Sequence, residues 1–478
     1  MTGHTWSLLI ILAAAIAALI VLINSRLRFH PFIALMTVSV GVALAAGQPV
    51  EKIAESLEEG AGGILGDVGV TLAFGAMLGR LLSASGATDR IARAIVDRAS
   101  PRALPWYVTG AAFVIGIPMF FEIGLIVLLP LIFSVARRLE RTHGYDGSPY
   151  VYLAAPAIGA LATLHGMVAP HPGPLVAVEG LHANLGLSIG VGLVCAIPTI
   201  IVAGPVYGRW IAPRLDVRPD PELIAKFAGS DDDADADGHG DGGGAKGAAP
   251  EPAARENKVR TGWALAAVLV PVVLMLLRTV AELVFDESSQ VRHALVFTGE
   301  PVIAMLAGFL FALFALGYRS GLPTEEIRSA LTDSLKAVAG ILLIIAGGGA
   351  FNQVLKDSGI GEAIESAASG LHINLIVLGW LLALLLSFST GSATVGIVAA
   401  TGILAPLAQD GGSLHTSLLV VAIGAGSIGL NYVNHAGFWL VKESFGMTLG
   451  QATKSHTTIQ TIVSVCGLLM ALLLSVFA

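Results

Sequence analysis

Residues 104–136 read LPWYVTGAAFVIGIPMFFEIGLIVLLPLIFSVA, 33 positions with a single charge, Glu122. As one helix the stretch would be about 50 Å long. The hydrocarbon core of a bilayer is only about 30 Å thick. Its middle, Pro118-Met-Phe-Phe-Glu-Ile-Gly124, interrupts the apolar run, and Pro118 removes a helix donor. The stretch is therefore either two spans with no loop or a helical hairpin that turns back inside the membrane. Arginines decide between these. Arg90, Arg93, Arg98 and Arg102 precede it, and Arg137, Arg138 and Arg141 follow it. Cytoplasmic loops carry the excess of Lys and Arg, so both flanks read as cytoplasmic and the segment enters and returns on one side.

A second stretch, Ile373–Ala408, poses the mirror case. It has 36 residues, broken at Ser387-Phe-Ser-Thr-Gly-Ser-Ala-Thr394. No Lys or Arg lies between Lys356 and Lys442. Both flanks read as external, so this hairpin enters from the opposite face.

The rest of the chain fits around the two hairpins. Its 478 residues are 55% hydrophobic and 13% charged, with mean hydropathy +0.78. Soluble domains carry about 25% charged residues, which excludes a soluble globular or a disordered chain. The apolar runs are continuous rather than alternating, which argues against a membrane β-barrel. In the first half the runs are Ser7–Ile23, His30–Ala46, Gly62–Leu82, Leu104–Ala136, Tyr150–Val168 and Gly186–Tyr207. In the second they are Thr261–Phe285, Ala294–Gly317, Ala337–Leu355, Ile373–Ala408, Ser417–Leu430 and Thr457–Phe477. The first run has no preceding Lys or Arg and no small-residue cleavage site after it, so it reads as a span rather than a leader.

Two six-unit halves result, 1–207 and 261–478, joined by a polar segment, 208–260. Walking the spans through places both termini outside and the linker in the cytoplasm. All Lys and Arg except Lys52, Arg278, Arg292 and Lys356 then fall on or beside the cytoplasmic side. Halves of equal make-up and opposite orientation form an inverted repeat. Short matches follow the same order. Ser85-Gly86 with Ile91 recurs as Ser358-Gly359 with Ile364. Ala157-Ile-Gly-Ala160 then His171-Pro-Gly173 recurs as Ala422-Ile-Gly-Ala425 then His435-Ala-Gly437. The expected fold is an all-α polytopic membrane protein with one re-entrant hairpin in each half, at 104–136 and 373–408.

The net charge of -7 arises from the linker, where seven acidic residues lie between Asp231 and Glu251 beside Lys246. That low-complexity stretch reads as a solvated connector. No basic stripe with interleaved aromatics is present, so no nucleic-acid partner is expected. Cys195 and Cys466 sit in apolar runs and read as packing residues.

Polar groups at membrane depth are costly unless paired or hydrated, which makes them functional candidates. Glu122 sits at the first hairpin turn with no basic residue near it in sequence. A carboxyl group in an apolar setting keeps its proton to higher pH than one in water, the property a proton-coupled carrier needs. His165 precedes Pro170-His171-Pro-Gly173-Pro174, whose prolines cannot continue a helix. Such a break survives at depth only beside a cavity, which makes His165, His171 and Gly173 site candidates. Ser389, Thr390, Gly391, Ser392 and Thr394 form the second hairpin turn. A helix starting there presents free N–H groups and the positive end of its dipole, which hold a carboxylate without Lys or Arg. Asn431, Asn434 and His435 stand where the repeat places the counterpart of His171, and carboxamides both donate to and accept from sugar hydroxyls. Arg278 and Glu282, at i,i+4, are expected to pair. No metal-ligand spacing occurs.

These clusters resemble the gluconate permease family of gluconate:proton symporters. The resemblance is carried by Gly75-Ala-Met-Leu-Gly79, Phe121-Glu122-Ile-Gly124 with Leu129-Pro-Leu131, His165-Gly166 with Pro170-His-Pro-Gly-Pro174, and Ala203-Gly-Pro-Val-Tyr207. In the second half it is carried by Gly347-Gly-Gly-Ala-Phe351 with Asp357-Ser-Gly359, Gly391-Ser-Ala-Thr-Val395, and Asn434 with Gly437-Phe-Trp439. It spans the chain apart from the linker. It implies uptake of gluconate, or a related sugar acid or hydroxy acid, across the bacterial inner membrane with protons, and no cofactor. It also implies the fold of the wider ion transporter superfamily, a scaffold that forms a homodimer, and a transport domain that moves as an elevator. One departure stands out: the family has Asp after Asn434, where this chain has His435, a change that alters charge, pH response or specificity.

In the resulting expectation the substrate carboxylate sits at Ser389–Thr394. Its hydroxyls reach His171, Asn434 and His435, and Glu122 carries the proton. The alternatives are a symporter of another small carboxylate or polar amino acid, and sodium in place of the proton. An intramembrane metal-dependent enzyme built on Glu122, His165 and His171 is the remote one. Neither a HExxH sequence nor a nucleophile motif supports that enzyme.

Overall fold

The structure is a computed structural model, and it describes residues 3–24, 26, 28–96, 99–143, 147–219, 259–363, 374–408, 412–433 and 435–478. Among the described residues it contains helices and no strand. The first half comprises α1 (Gly3–Asn24), α2 (Pro31–Ala45), α3 (Val50–Ile64), α4 (Val70–Ala84), α5 (Ala87–Val96), α6 (Leu104–Gly116), α7 (Phe121–His143), α8 (Pro149–Met167), α9 (Pro172–Gly180), α10 (Leu185–Ile201) and α11 (Tyr207–Ile211). The second comprises α12 (Thr261–Val284), α13 (Gln290–Thr298), α14 (Pro301–Ala312), α15 (Thr324–Asp357), α16 (Leu375–Thr390), α17 (Ala393–Leu404), α18 (Ser413–Ile428), α19 (Ala436–Ser444), α20 (Leu449–Ala452) and α21 (Thr458–Ser475).

Among the described residues seven helical stretches are long and apolar enough to cross a membrane, or eight if a pair bent by 70° at residues 85–86 is one span. α2, α6, α16 and α18 are apolar but have 13 to 16 residues. That is less than the roughly 20 residues a span needs. Both long sequence units divide where their interruptions lie. The first breaks at residues 117–120 and the second at Gly391-Ser392. α7 overruns the expected end of its unit, continuing from Ala136 to His143, because nothing in Arg137–Arg141 stops a helix.

Local chemistry sets these boundaries. Ser148 caps α8, accepting from the Val151 N–H at 3.2 Å and donating to the Val217 carbonyl at 2.6 Å, with Pro149 at the first helical position. Asn184 caps α10 by accepting from the Leu187 N–H at 2.9 Å, and Asn374 caps α16. Such caps satisfy donors that the helix itself leaves open. Gly391 closes α16 at φ +72°, its N–H bonding the Ser387 carbonyl at 2.8 Å. That conformation favours Gly.

The order of elements recurs. A broken pair (α6–α7, α16–α17) is followed by a buried helix (α8, α18), then a nine-residue helix directly preceded by a histidine (α9 after His171, α19 after His435). The Ser-Gly match recurs in geometry too. α4 and α15 end on Ser85 and Ser358, and the next residues, Gly86 and Gly359, have φ of +71° and +72°.

α8 and α18 form the centre. Every residue of α8 except His165 is buried, as is α18 from Thr416 to Ile428. A helix that is apolar all round belongs inside a bundle. The two cross at small residues: a Cβ on Gly424 would collide with the Gly166 oxygen. Around this centre, one apolar core joins α4–α8, α10, α12, α14, α18, α19 and α21. A second joins α1, α2 and α15–α18. The expected Arg278–Glu282 pair is present, with Nε and Oε1 2.9 Å apart. Arg278 also binds Glu300, and the Asn184 amide donates to Glu282 at 3.1 Å. This network fixes α10, α12 and the start of α14 at one level.

Candidate functional site

The breaks bring the sequence-predicted residues together in two clusters. In the first, Glu122 is the second residue of α7, half-buried, and within electrostatic reach of His165 near the end of α8. The His165 Nδ1 is buried and has no hydrogen-bond partner among the described residues. Its ring meets that of His171 edge-on, with centroids 5.7 Å apart. His171 is 4% exposed and donates from Nε2 to the Gly116 carbonyl at 2.9 Å. That carbonyl belongs to the last turn of α6, where the helix supplies no partner of its own. One imidazole thus completes the end of α6 and stacks the other beside Glu122. Gly173 is in the first turn of α9 and packs on α17, where a Cβ would collide with the Ile397 Cδ1.

The second cluster surrounds the α16–α17 break. Ser389 and Thr390 donate their hydroxyls back to the Leu386 carbonyl, at 3.0 and 2.7 Å. Their oxygens keep free acceptor capacity, but their donors are committed. Ser392 caps α17, its Oγ accepting from the Val395 N–H at 3.4 Å. The N–H groups of Ala393 and Thr394 are then the open donors of that terminus. Ser387 ties α16 to α18 through the Ser427 carbonyl at 2.6 Å, and the His435 ring lies against the backbone carbonyl of Ser387. Asn431 is 8% exposed; its carbonyl accepts from Thr457 at 2.7 Å, while its side-chain Oδ1 has no partner in the protein. Asn434 lies outside the described residues.

Two groups that the sequence did not single out join this cluster. His456, just before α21, and Gln460, in its first turn, are 0% and 2% exposed. Among the described residues, both ring nitrogens of His456, the Gln460 Oε1 and the His435 Nε2 have no hydrogen-bond partner. The His456 ring stands 5.7 Å from that of Phe121, the residue before Glu122, and within electrostatic reach of His435. In sequence, Lys454-Ser-His-Thr457 looks like an ordinary polar end to a span, which is why they gave no signal.

A cavity of about 280 Å³ opens beside the first cluster, lined by Arg80, Phe120, Ile123, Ile126, Asp333 and Ser334 among others. A smaller one of about 20 Å³ lies against Pro118, Pro170 and His171. Phe120 lines both. Among the described residues no group of three or more His, Cys, Asp or Glu is arranged to hold a metal ion.

A family model described as "GntP family permease" matches residues 6–477. This chain belongs to the GntP permease family. A gluconate permease of Pseudomonas aeruginosa is 40% identical over 99% of this chain and 98% of its own length. The high-affinity gluconate transporter of Escherichia coli K12 is 36% identical over 98% of this chain and 99% of its own. The Gnt-II system L-idonate transporter of the same organism is 34% identical over 96% and 97%. Among solved structures, the YdaH transporter of Alcanivorax borkumensis matches with a TM-score of 0.63 at 14% identity, over 94% of this chain and 99% of that one. That likeness establishes the fold alone. As a GntP permease the chain is a multi-pass membrane transporter and not an enzyme, which removes the hydrolase reading of Glu122, His165 and His171.

Proposed function

We propose that this permease imports gluconate or a closely related sugar acid by proton symport across the bacterial inner membrane. The names of the relatives share one chemistry, a six-carbon polyhydroxy carboxylate. The open N–H groups of Ala393 and Thr394 suit the carboxylate, since helix N-termini bind anions and no Lys or Arg lies at either turn. Glu122 carries the proton. The observation that carries this assignment is that Glu122 lies within electrostatic reach of His165, whose buried Nδ1 is hydrogen-bonded to none of the described residues. Two titratable groups that interact electrostatically favour opposite charge states in each other, which suits a residue that loads and releases a proton.

In this reading the α6–α7 and α16–α17 pairs are re-entrant hairpins entering from opposite faces, with the termini outside and the 208–260 linker in the cytoplasm. The recurring element order and the matching Ser-Gly turns support an inverted repeat. A homodimeric scaffold and an elevator movement complete the proposal.

The test is uptake of labelled gluconate into proteoliposomes under an imposed pH gradient, an imposed sodium gradient, or neither. Concentrative uptake driven by the pH gradient alone is the expected result. Accumulation that follows sodium instead would overturn the coupling ion, and no uptake of any hexonate would overturn the substrate.

A further inference from the structure

Four buried side chains on the α21 side of the site have polar atoms that none of the described residues satisfies. They are Asn431 (Oδ1), His435 (Nε2), His456 (both ring nitrogens) and Gln460 (Oε1), each at most 8% exposed. Leaving one buried polar atom unpaired costs about 1–3 kcal/mol, so a native cluster of this kind calls for a cause. The four belong together. Gln460 follows His456 by four residues, one helical turn, which places both on one face. Thr457, between them, bonds the Asn431 backbone. His435 and His456 interact electrostatically. The rings of Phe121 and Phe438 wall the cluster at 5.7 and 6.2 Å from the His456 ring. A Cβ placed on Gly437 would touch both Phe121 and His456.

The chemistry of the set selects its ligand. Two carboxamide oxygens are acceptors only, and a neutral imidazole offers one donor and one acceptor. No Lys or Arg takes part. A carboxylate brought here would face two carbonyl dipoles of the wrong sign. Hydroxyl groups, which donate and accept at once, match all four. We propose that His456 and Gln460, with Asn431 and His435, form the subsite that reads the hydroxyl chain of the substrate, while its carboxylate binds at the start of α17. This rests on the sugar-acid reading above and divides the substrate between two separate sets of groups.

The test combines apolar variants with deoxy analogues. In purified protein, gluconate and a set of monodeoxygluconates are titrated against the unmodified chain, His456→Phe and Gln460→Leu, and melting temperature is recorded without ligand. Removing an unpartnered buried polar group does not cost stability, so both variants are expected to melt at or above the temperature of the parent. Both are expected to bind gluconate about tenfold more weakly, the value of one well-made hydrogen bond. Each should also lose the penalty that the parent shows for one deoxy position, which a merely structural role would not produce. Unchanged gluconate affinity in both folded variants overturns the subsite, as does a deoxy penalty that survives in both. Gluconate failing to bind the parent overturns the sugar-acid reading instead. If either variant does not fold, Asn431→Leu takes its place under the same criteria.

Discussion

Glu122 and His165 make the most specific claim at the level of single residues. The pair is held by α7 and α8, so replacing the carboxyl by an amide preserves shape and removes the proton. With one coupled proton, a gradient of one pH unit supports about tenfold accumulation. Glu122→Gln is expected to abolish that accumulation while leaving gluconate exchange across the bilayer intact, as measured by uptake and counterflow in the same vesicles. Concentrative uptake retained by Glu122→Gln would remove this residue from coupling. Glu122 was legible from sequence as a candidate, because a lone carboxyl in a 33-residue apolar run is costly to bury unless it has a use. His456 and Gln460 were not legible. They follow Lys454 and Ser455 at the start of a span, where polar residues are expected on any membrane helix. Only the packing of Phe121, His435 and Asn431 around them shows that they face inward.

Among the elements, the breaks were legible and the crossings were not. Pro118 and the Ser387–Thr394 stretch interrupt apolar runs that are too long, so both breaks could be placed from length and residue type alone. The contact of α8 with α18 needed coordinates, since a Gly in a Gly-rich chain gives no sign of what it meets. There, Gly424 approaches the Gly166 carbonyl so closely that a methyl group has no room. Gly424→Ala forces two fully buried helices apart and is expected to cost about 1–3 kcal/mol, the usual range for overpacking a core. The readout is the thermal unfolding midpoint in detergent, and an unchanged midpoint would show that the crossing relaxes freely. Ser392→Ala tests the second turn differently. It removes the cap of α17, worth about 0.5–2 kcal/mol. It also disorders the terminus assigned to the carboxylate, so gluconate affinity should fall several-fold. An unchanged Kd would place the carboxylate elsewhere.

At the scale of the whole molecule, the two cavities around Phe120 give the transport cycle a direction. The larger opens between α4, α7 and α15, beside Arg80 and Asp333. The proposed topology, built on the Lys and Arg distribution, puts that side in the cytoplasm. The smaller lies against His171, and Phe120 lines both. In that topology the larger cavity is a vestibule on the cytoplasmic side, next to Phe120. In a background lacking Cys195 and Cys466, Ser334→Cys puts a thiol in the vestibule wall. A membrane-impermeant maleimide should label it from the cytoplasmic side of oriented vesicles and not from the other. Saturating gluconate should slow that labelling if bound substrate draws the transport domain away from this face. Labelling from the external side alone would invert the topology, and with it the assignment of both hairpins. Labelling from the cytoplasmic side that gluconate does not alter would keep the topology and remove the vestibule from the substrate path. Phe120→Ala tests whether this residue, which lines both cavities, seals one from the other: it should raise the leak of protons without substrate. A variant that stays proton-tight would assign the seal to other groups.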